Sequence, residues 1–360
     1  MKALVANRGI LIRSANLLAG KSIGKGVKVE DISKPTISEK EILVKVHATA
    51  LNPIDVKFID FIAPSGSLLG CDFAGVVADV VADSAASRVW KIGDRVAGFV
   101  QGGVSQERGA FAEYVKAEED LVWRIPTGVS DEAASTYGVP AVTAMQALNL
   151  HLNIPWAEEV DKEGKVDTGS SIFIYAGSTA VGLFAIQIAK KAGCTVVATA
   201  SPHSFDLVKS YGADHVFDYR SPTAAKDIKK AFPTISRALD CFSEGNSFKF
   251  CAEIIQGNGD KVITLLETKT KVPGVKSQMI MSFQLLGLEF AWLPPIGPKY
   301  PVSPPERAAL ARFYRYLPSL AIELKPPPLT VLNGGFDDII EGLDRLRGGK
   351  VSGSKLVVKL

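Results

Sequence analysis

From residue 171 onward the sequence alternates short apolar runs with helical stretches, and a glycine-bearing turn opens the series. Ile172-Phe173-Ile174-Tyr175 reads as a buried strand. Ala176-Gly177-Ser178-Thr179-Ala180-Val181-Gly182 follows it, and residues 181–192 have the pattern of a helix. Four more strands follow at residues 195–200, 215–219, 237–242 and 261–266, with helices predicted at 205–211, 226–231 and 248–255. Buried parallel strands read as near-continuous apolar runs joined by helical crossovers. The pattern therefore predicts an α/β fold with a doubly wound parallel sheet wrapped by helices. No internal repeat is visible.

The first third reads differently. Residues 41–50, 73–81, 95–98 and 109–115 are short strand candidates punctuated by glycine, as in a compact β-barrel. A helix is expected from Asp131, with Ser130 as its cap, and a second at 139–150 with Pro140 in its first turn. Residues 156–169 and the proline-rich 293–305 read as loops. Helices follow at 306–317 and 336–347. The alternation at 354–359 predicts a last strand that returns to the sheet of the first domain. The expected division is a first domain at 1–138 completed by 290–360, with the dinucleotide-binding domain at 139–289.

Composition narrows the partners. Lys plus Arg number 41 and Asp plus Glu 38, a net charge of +3, which offers no electrostatic footprint for nucleic acid. Cys71, Cys194, Cys241 and Cys251 are scattered, as in a reducing compartment. The start Met1-Lys2-Ala3-Leu4-Val5 lacks a signal-peptide core, and the apolar segment 172–189 is broken by Gly177, Ser178, Thr179 and Gly182. The expectation is a soluble cytoplasmic protein with no membrane span.

The turn at 176–182 sits where a dinucleotide fingerprint belongs, after a strand and at the start of a helix whose free N–H groups suit a pyrophosphate. Gly177 is expected to permit the tight turn, and Gly182 to let helix and sheet approach. Thr179 replaces the middle glycine, so either the backbone stays further from the phosphate or a hydroxyl of Ser178 or Thr179 binds it. An NAD site usually ends its second strand with Asp or Glu. Here Ala200-Ser201-Pro202-His203-Ser204 has no carboxylate, which favours NADPH. Ser201, His203, Ser204 and Tyr219 are the candidates for its phosphate, with Lys209 and Arg220 behind them. His47, His151, His203 and His215 show no zinc-ligand spacing, so no metal is expected.

At several segments the chain resembles the medium-chain dehydrogenase/reductase superfamily. These are Asn52-Pro53-Ile54-Asp55-Val56-Lys57, Gly70-Cys71-Asp72-Phe73-Ala74-Gly75-Val76, Gly93-Asp94-Arg95-Val96-Ala97-Gly98, Gly109-Ala110-Phe111-Ala112-Glu113-Tyr114 and the nucleotide turn. Zinc alcohol dehydrogenases of the superfamily carry a catalytic Cys near the first segment and a His-Glu pair in the second. Here those positions hold Asn-Pro-Ile-Asp and Cys-Asp-Phe, so the zinc-free branch is indicated. Within it the chain is similar to the ToxD-like and trans-acting enoyl reductases of fungal polyketide pathways. The segments carrying this are 52–57, Tyr137-Gly138-Val139-Pro140-Ala141-Val142-Thr143-Ala144 and 342–357.

The resemblance implies a GroES-like β-barrel catalytic domain beside a Rossmann domain. It also implies that an activated double bond receives hydride at its β-carbon and a proton at its α-carbon. Lys57 and Thr143 become the catalytic candidates, and Pro53, Lys57, Thr143, Ala180, Val181 and Leu265 join the cofactor set. By the same resemblance Lys57 orients the cofactor, stabilises the enolate or relays the proton. Asn52 and Asp55 are expected to shape the turn, and Tyr137 and Cys71 to be core residues. The implied partner is a polyketide synthase presenting a carrier-bound enoyl group, and the protein is a monomer or homodimer with its edge strand or a blocking loop at 267–288. An aldehyde or quinone reductase and a non-catalytic NADPH-binding regulator remain alternatives.

Overall fold

A computed structural model describes residues 1–20, 24–164, 166, 169–291 and 297–360. It divides into two compact units, Met1–Val139 with Phe283–Leu360, and Pro140–Ser282.

The hub of the first unit is Glu41–Ala50, whose alternating residues turn Ile42, Val44 and Val46 into a core with Phe73, Val77 and Val96. This strand pairs antiparallel with Asp72–Val80 along one edge. Its other edge is shared, residues 41–45 pairing with Tyr114–Glu118 and 48–50 with Lys355–Lys359, both antiparallel. Arg95–Phe99 and Val122–Arg124 continue the sheet beyond Asp72–Val80, and Leu329–Leu332 beyond Lys355–Lys359. The last strand thus joins a sheet built more than three hundred residues earlier. A second core, with Leu51, Val56, Ile59, Phe111, Leu343 and Leu356, underlies the helix Pro53–Lys57.

The second unit carries one six-stranded parallel sheet. Counted along the chain, its strands lie in the order 3-2-1-4-5-6, the Rossmann order. Ser171–Tyr175 lies between Thr195–Ala200 and Arg237–Asp240, so the topology reverses beside its end. His215–Asp218 is one edge; Lys261–Thr264 leads to Lys276–Met279 at the other.

Several expectations need correction. The expected strand 109–115 begins five residues late, at Tyr114, because Ala110, Phe111 and Ala112 turn into the core first. Beyond the five strands read from the apolar runs, the sheet of the second unit has a sixth, Lys276–Met279, inside the segment 267–288 where an edge strand or a blocking loop is expected. Residues 156–169 are not all loop: Ala157–Glu163 is a helix, its start held by the Trp156 N–H donating to the Glu159 carboxylate (3.2 Å), its end by left-handed Gly164. The helix expected at 139–150 is α-helical only over Val139–Met145 and widens into a π-turn over Gln146–His151. Within 293–305, Lys299–Tyr300 pairs with Phe290–Ala291 and the next helix already starts at Pro304; residues 293–296 lie outside the described residues. Among the described residues, no helix is long and apolar enough to cross a membrane.

Candidate functional site

The nucleotide turn is organised by two threonines. The Ala176 N–H donates to Thr199 Oγ1 (3.1 Å) and the Gly177 N–H to the Thr199 carbonyl (2.8 Å), tying the turn to the neighbouring strand. Thr179 is the N-cap of Ala180–Lys191: its hydroxyl donates to the Ala176 carbonyl (2.9 Å) and accepts the Gly182 N–H (3.1 Å). With its hydroxyl both donating and accepting within the turn, the middle-glycine position is a cap; Ser178 beside it is half-buried. The left-handed residue is Ala176 (φ +58°) rather than Gly177. Its methyl is the smallest side chain that can carry this strain of about 1–2 kcal/mol.

Gly182 is required by close approach. A Cβ there would lie 2.7 Å from the Ala176 carbonyl oxygen and 2.8 Å from Gly177 Cα. The first-turn N–H groups of Ala180 and Val181 have no earlier helical carbonyl to bond. They form, with the positive end of the helix, a cradle whose chemistry fits a diphosphate.

Ser201, His203, Ser204, Tyr219 and Leu265 also follow the C-terminal ends of strands of this sheet. Asp218 pairs with Ala200, so Tyr219 and Ser201 stand one residue beyond adjacent strand ends. His203 is exposed, whereas Ser204 is buried, its N–H on the Ser201 carbonyl (2.8 Å). The Tyr219 ring lies 5.9 Å from that of Tyr175. Asp218, paired with the last residue of the second strand, is engaged by Arg220 (3.0 and 3.1 Å). Leu265 follows the fifth strand, its N–H donating to Ser243 Oγ (2.8 Å). Buried Asp240 holds that loop by accepting from the N–H groups of Phe242 (3.0 Å) and Ser243 (2.8 Å) and from the Ser247 hydroxyl (2.6 Å). Sequence reasoning missed Asp240 and Ser243, whose only signal was a polar residue ending an apolar strand.

In the first unit, Lys57 closes the helix Pro53–Lys57 and is half-buried. Pro53 takes its first position and is exposed. Asn52 is the N-cap residue: its N–H donates to Asp55 Oδ2 (2.7 Å), and the Asp55 N–H returns to the Asn52 carbonyl (3.1 Å). The turn-shaping role expected of both residues is therefore what the geometry shows. Thr143 belongs to the second unit and is a buried residue of Val139–Met145. Tyr137 is fully buried, its hydroxyl donating to the Leu324 carbonyl.

A buried polar cluster that sequence reasoning missed sits beneath the Lys57 turn. Asn52, Asp55, Asp72 and Lys355 are each at most 4% exposed. Asn52 Nδ2 donates to Asp72 Oδ2 (2.8 Å), and Lys355 Nζ donates to Asn52 Oδ1 and lies 3.9 Å from Asp72 Oδ2. Burial, and next the Asp72 carboxylate, push Asp55 up to about 7. Burial pushes Asp72 up to about 6 although Lys355 opposes it, and burial lowers Lys355. Cys71 is buried beside them, its thiol raised first by burial and then by Asp55 and Asp72. Among the described residues, no group of three His, Cys, Asp or Glu could hold a metal ion.

A stability prediction follows from these two carboxylates. Both folded values exceed the ordinary one of 3.8. Between about pH 4 and 7 the folded chain keeps protons that the unfolded chain has released, so their contribution to stability falls as pH rises and levels off above 7. Urea unfolding from pH 4.5 to 7.5 should show Asp55→Asn gaining on the parent protein by on the order of 2–4 kcal/mol across that range. Parallel curves for the two proteins would refute this.

Two family models match the chain. One, described as an alcohol dehydrogenase GroES-like domain, covers residues 38–127, and the other, described as a zinc-binding dehydrogenase, covers 180–288. A trans-enoyl reductase of Alternaria alternata is 38% identical over 341 residues, spanning 93% of this chain and 96% of its own length. This chain belongs to the trans-enoyl reductase family of medium-chain dehydrogenase/reductases. Another relative of this family member, an enoyl reductase of Chaetomium globosum, is 37% identical over 96% of this chain and 93% of its own. Among solved structures, the CurK enoyl reductase shares the fold at a TM-score of 0.72 and 18% identity, over 99% of both chains. A mycobacterial protein complexed with NADPH shares it at 0.71 and 20%, over 100% of both. The GroES-like and Rossmann architecture of the family is therefore also that of this chain.

Proposed function

We propose that this member of the family is an NADPH-dependent reductase of an enoyl thioester, acting on a substrate carried by a polyketide synthase. Likeness to trans-enoyl reductases along nearly the whole chain supports the reaction class. The observation that carries the choice of cofactor is the end of the second strand. Ser201 stands where a carboxylate would select NAD, and the adjacent Asp218 is neutralised by Arg220. A 2′-phosphate would meet small donors there, from Ser201, His203 and Tyr219.

When bound, NADPH supplies the hydride that goes to the β-carbon. Ala180 and Val181 would hold the diphosphate through their N–H groups, with Gly177, Ser178 and Thr179 shaping the turn; Pro53, Thr143 and Leu265 are the residues proposed for the nicotinamide half. Reduction pushes negative charge onto the thioester carbonyl oxygen, where a positioned cation or donor is worth several kcal/mol. Lys57 Nζ is the group proposed for that charge and for the proton that ends on the α-carbon.

The test is a panel of crotonyl thioester, enones, quinones and aldehydes with either nucleotide. The expected result is fastest turnover of the thioester, with NADPH bound at least about 10-fold more tightly than NADH. Ser201→Asp should reverse that preference. Tighter NADH binding by the parent protein would overturn the cofactor choice, and turnover of quinones or aldehydes alone would overturn the substrate class.

A further inference from the structure

The Asn52–Asp72–Lys355 cluster holds together three segments that are remote in sequence. Asp72 is pinned by its backbone, paired with Ala50 and Phe99 in adjacent strands, and its carbonyl accepts the Thr49 hydroxyl (2.7 Å). Its carboxylate is divided. Oδ2 accepts from the side chain of Asn52, the cap of the Lys57 turn (2.8 Å). Oδ1 accepts the N–H of Val139 (2.7 Å), the first residue of the helix on which Thr143 lies. Gly138 gives Oδ1 the room, since a Cβ there would lie 2.2 Å from it. Lys355, from the last strand, supplies the neutralising charge. A buried ion pair is a poor source of stability, because two desolvation costs offset the attraction.

We propose that Asp72 is a positioning residue of the reduction, its two carboxylate oxygens holding the Lys57 turn in register with the start of the helix Val139–Met145. The role rests on Lys57 being the active-site group proposed above. A carboxylate offers an acceptor oxygen to each donor, whereas an amide has a single oxygen and must release one of them. Charge neutralisation and positioning can therefore be separated.

Asp72→Asn combined with Lys355→Met removes both charges of the pair and leaves Asp55, whose folded value of about 7 lets it stay protonated at pH 6, as the acid of the cluster. The expected result is a melting temperature and NADPH affinity close to those of the parent protein, unchanged KM for crotonyl thioester, and a single-turnover hydride-transfer rate lowered by about 10–100-fold. A double variant that reacts at the parent rate would overturn the proposal, leaving Asp72 as a counter-charge only. Should the double variant not fold, Asn52→Ala decides in its place, since it cuts the link to the turn, together with the acceptor of Lys355 Nζ, and leaves both carboxylate and ammonium groups and the Val139 bond. A slowed rate at unchanged NADPH affinity supports positioning, and a parent-like rate refutes it. Lys57→Ala separates the layers: a parent-like rate in that variant removes the reading of Lys57 itself, whereas a slow Lys57→Ala beside a fast double variant removes only the role of Asp72.

Discussion

Lys57→Ala should lower the single-turnover rate of enoyl thioester reduction by roughly 10²–10³-fold while changing NADPH affinity by less than about 3-fold. The capping bonds of the turn run between Asn52 and Asp55, so the substitution leaves the scaffold of the turn in place. What it removes is the ammonium group at the end of the helix Pro53–Lys57. If Nζ meets charge that develops only during the reaction, the loss falls on kcat and not on binding. Lys57→Arg keeps the charge but changes its reach, and should recover a small part of the rate. Stopped-flow oxidation of bound NADPH reads the chemical step directly. An unchanged rate would leave Lys57 as a structural lysine.

How far the sequence could be read follows from where each element buries its side chains. Four of the six parallel strands announce themselves because both faces are covered, and a strand such as Ile172-Phe173-Ile174 becomes an apolar run; His215–Asp218, at one edge, has no fully buried residue and is read from its place after the helix-ending Gly212. The sixth, Lys276-Ser277-Gln278-Met279, is an edge strand with no fully buried residue, and nothing in its composition separates it from a loop. The helix Ala157–Glu163 likewise has no buried residue, so no helical period was there to find; its first-turn acids and terminal glycine were the only signals. The helix Ile10–Ala19 inverts the usual pattern. Asn16 is its buried residue, donating to the Asp60 carbonyl (2.9 Å), while Leu11 and Leu18 are 83% and 90% exposed.

The candidate site divides in the same way. Asn52-Pro53-Ile54-Asp55-Val56-Lys57 was legible because its capping bonds are local. The partners of Asp72 were not, since Asn52 lies 20 positions away, Val139 67, and Lys355 303 positions from Asn52. A periodicity or a motif reports neighbours along the chain; a buried charge pair between strands leaves only two polar residues in otherwise apolar runs. Thr179 shows the converse limit. Its position in the turn was visible, but whether its hydroxyl faced a phosphate or its own helix depended on the path of the backbone.

That path leads to the second large effect, at Gly182. Gly182→Ala places a methyl group 2.7 Å from the Ala176 carbonyl oxygen and 2.8 Å from the Gly177 carbonyl oxygen. Backbone, unlike a side-chain end, has no rotamer with which to yield. Either the helix Ala180–Lys191 withdraws from the strand end or the turn shifts, and in both cases the first-turn N–H groups leave the positions that define the cradle. NADPH affinity should fall about 100-fold, which corresponds to about 2.7 kcal/mol, and the melting temperature should drop by several degrees. Thr179→Ser is the matched control: it keeps the hydroxyl that accepts the Gly182 N–H and should bind NADPH nearly as the parent protein does. Thr179→Ala loses the cap, about 1 kcal/mol of stability, and should weaken binding far less than Gly182→Ala. A nucleotide titration in which Gly182→Ala binds NADPH like the parent protein would mean that the turn at 176–182 is not where the diphosphate sits, and the cofactor site would have to be sought at another strand end of the sheet.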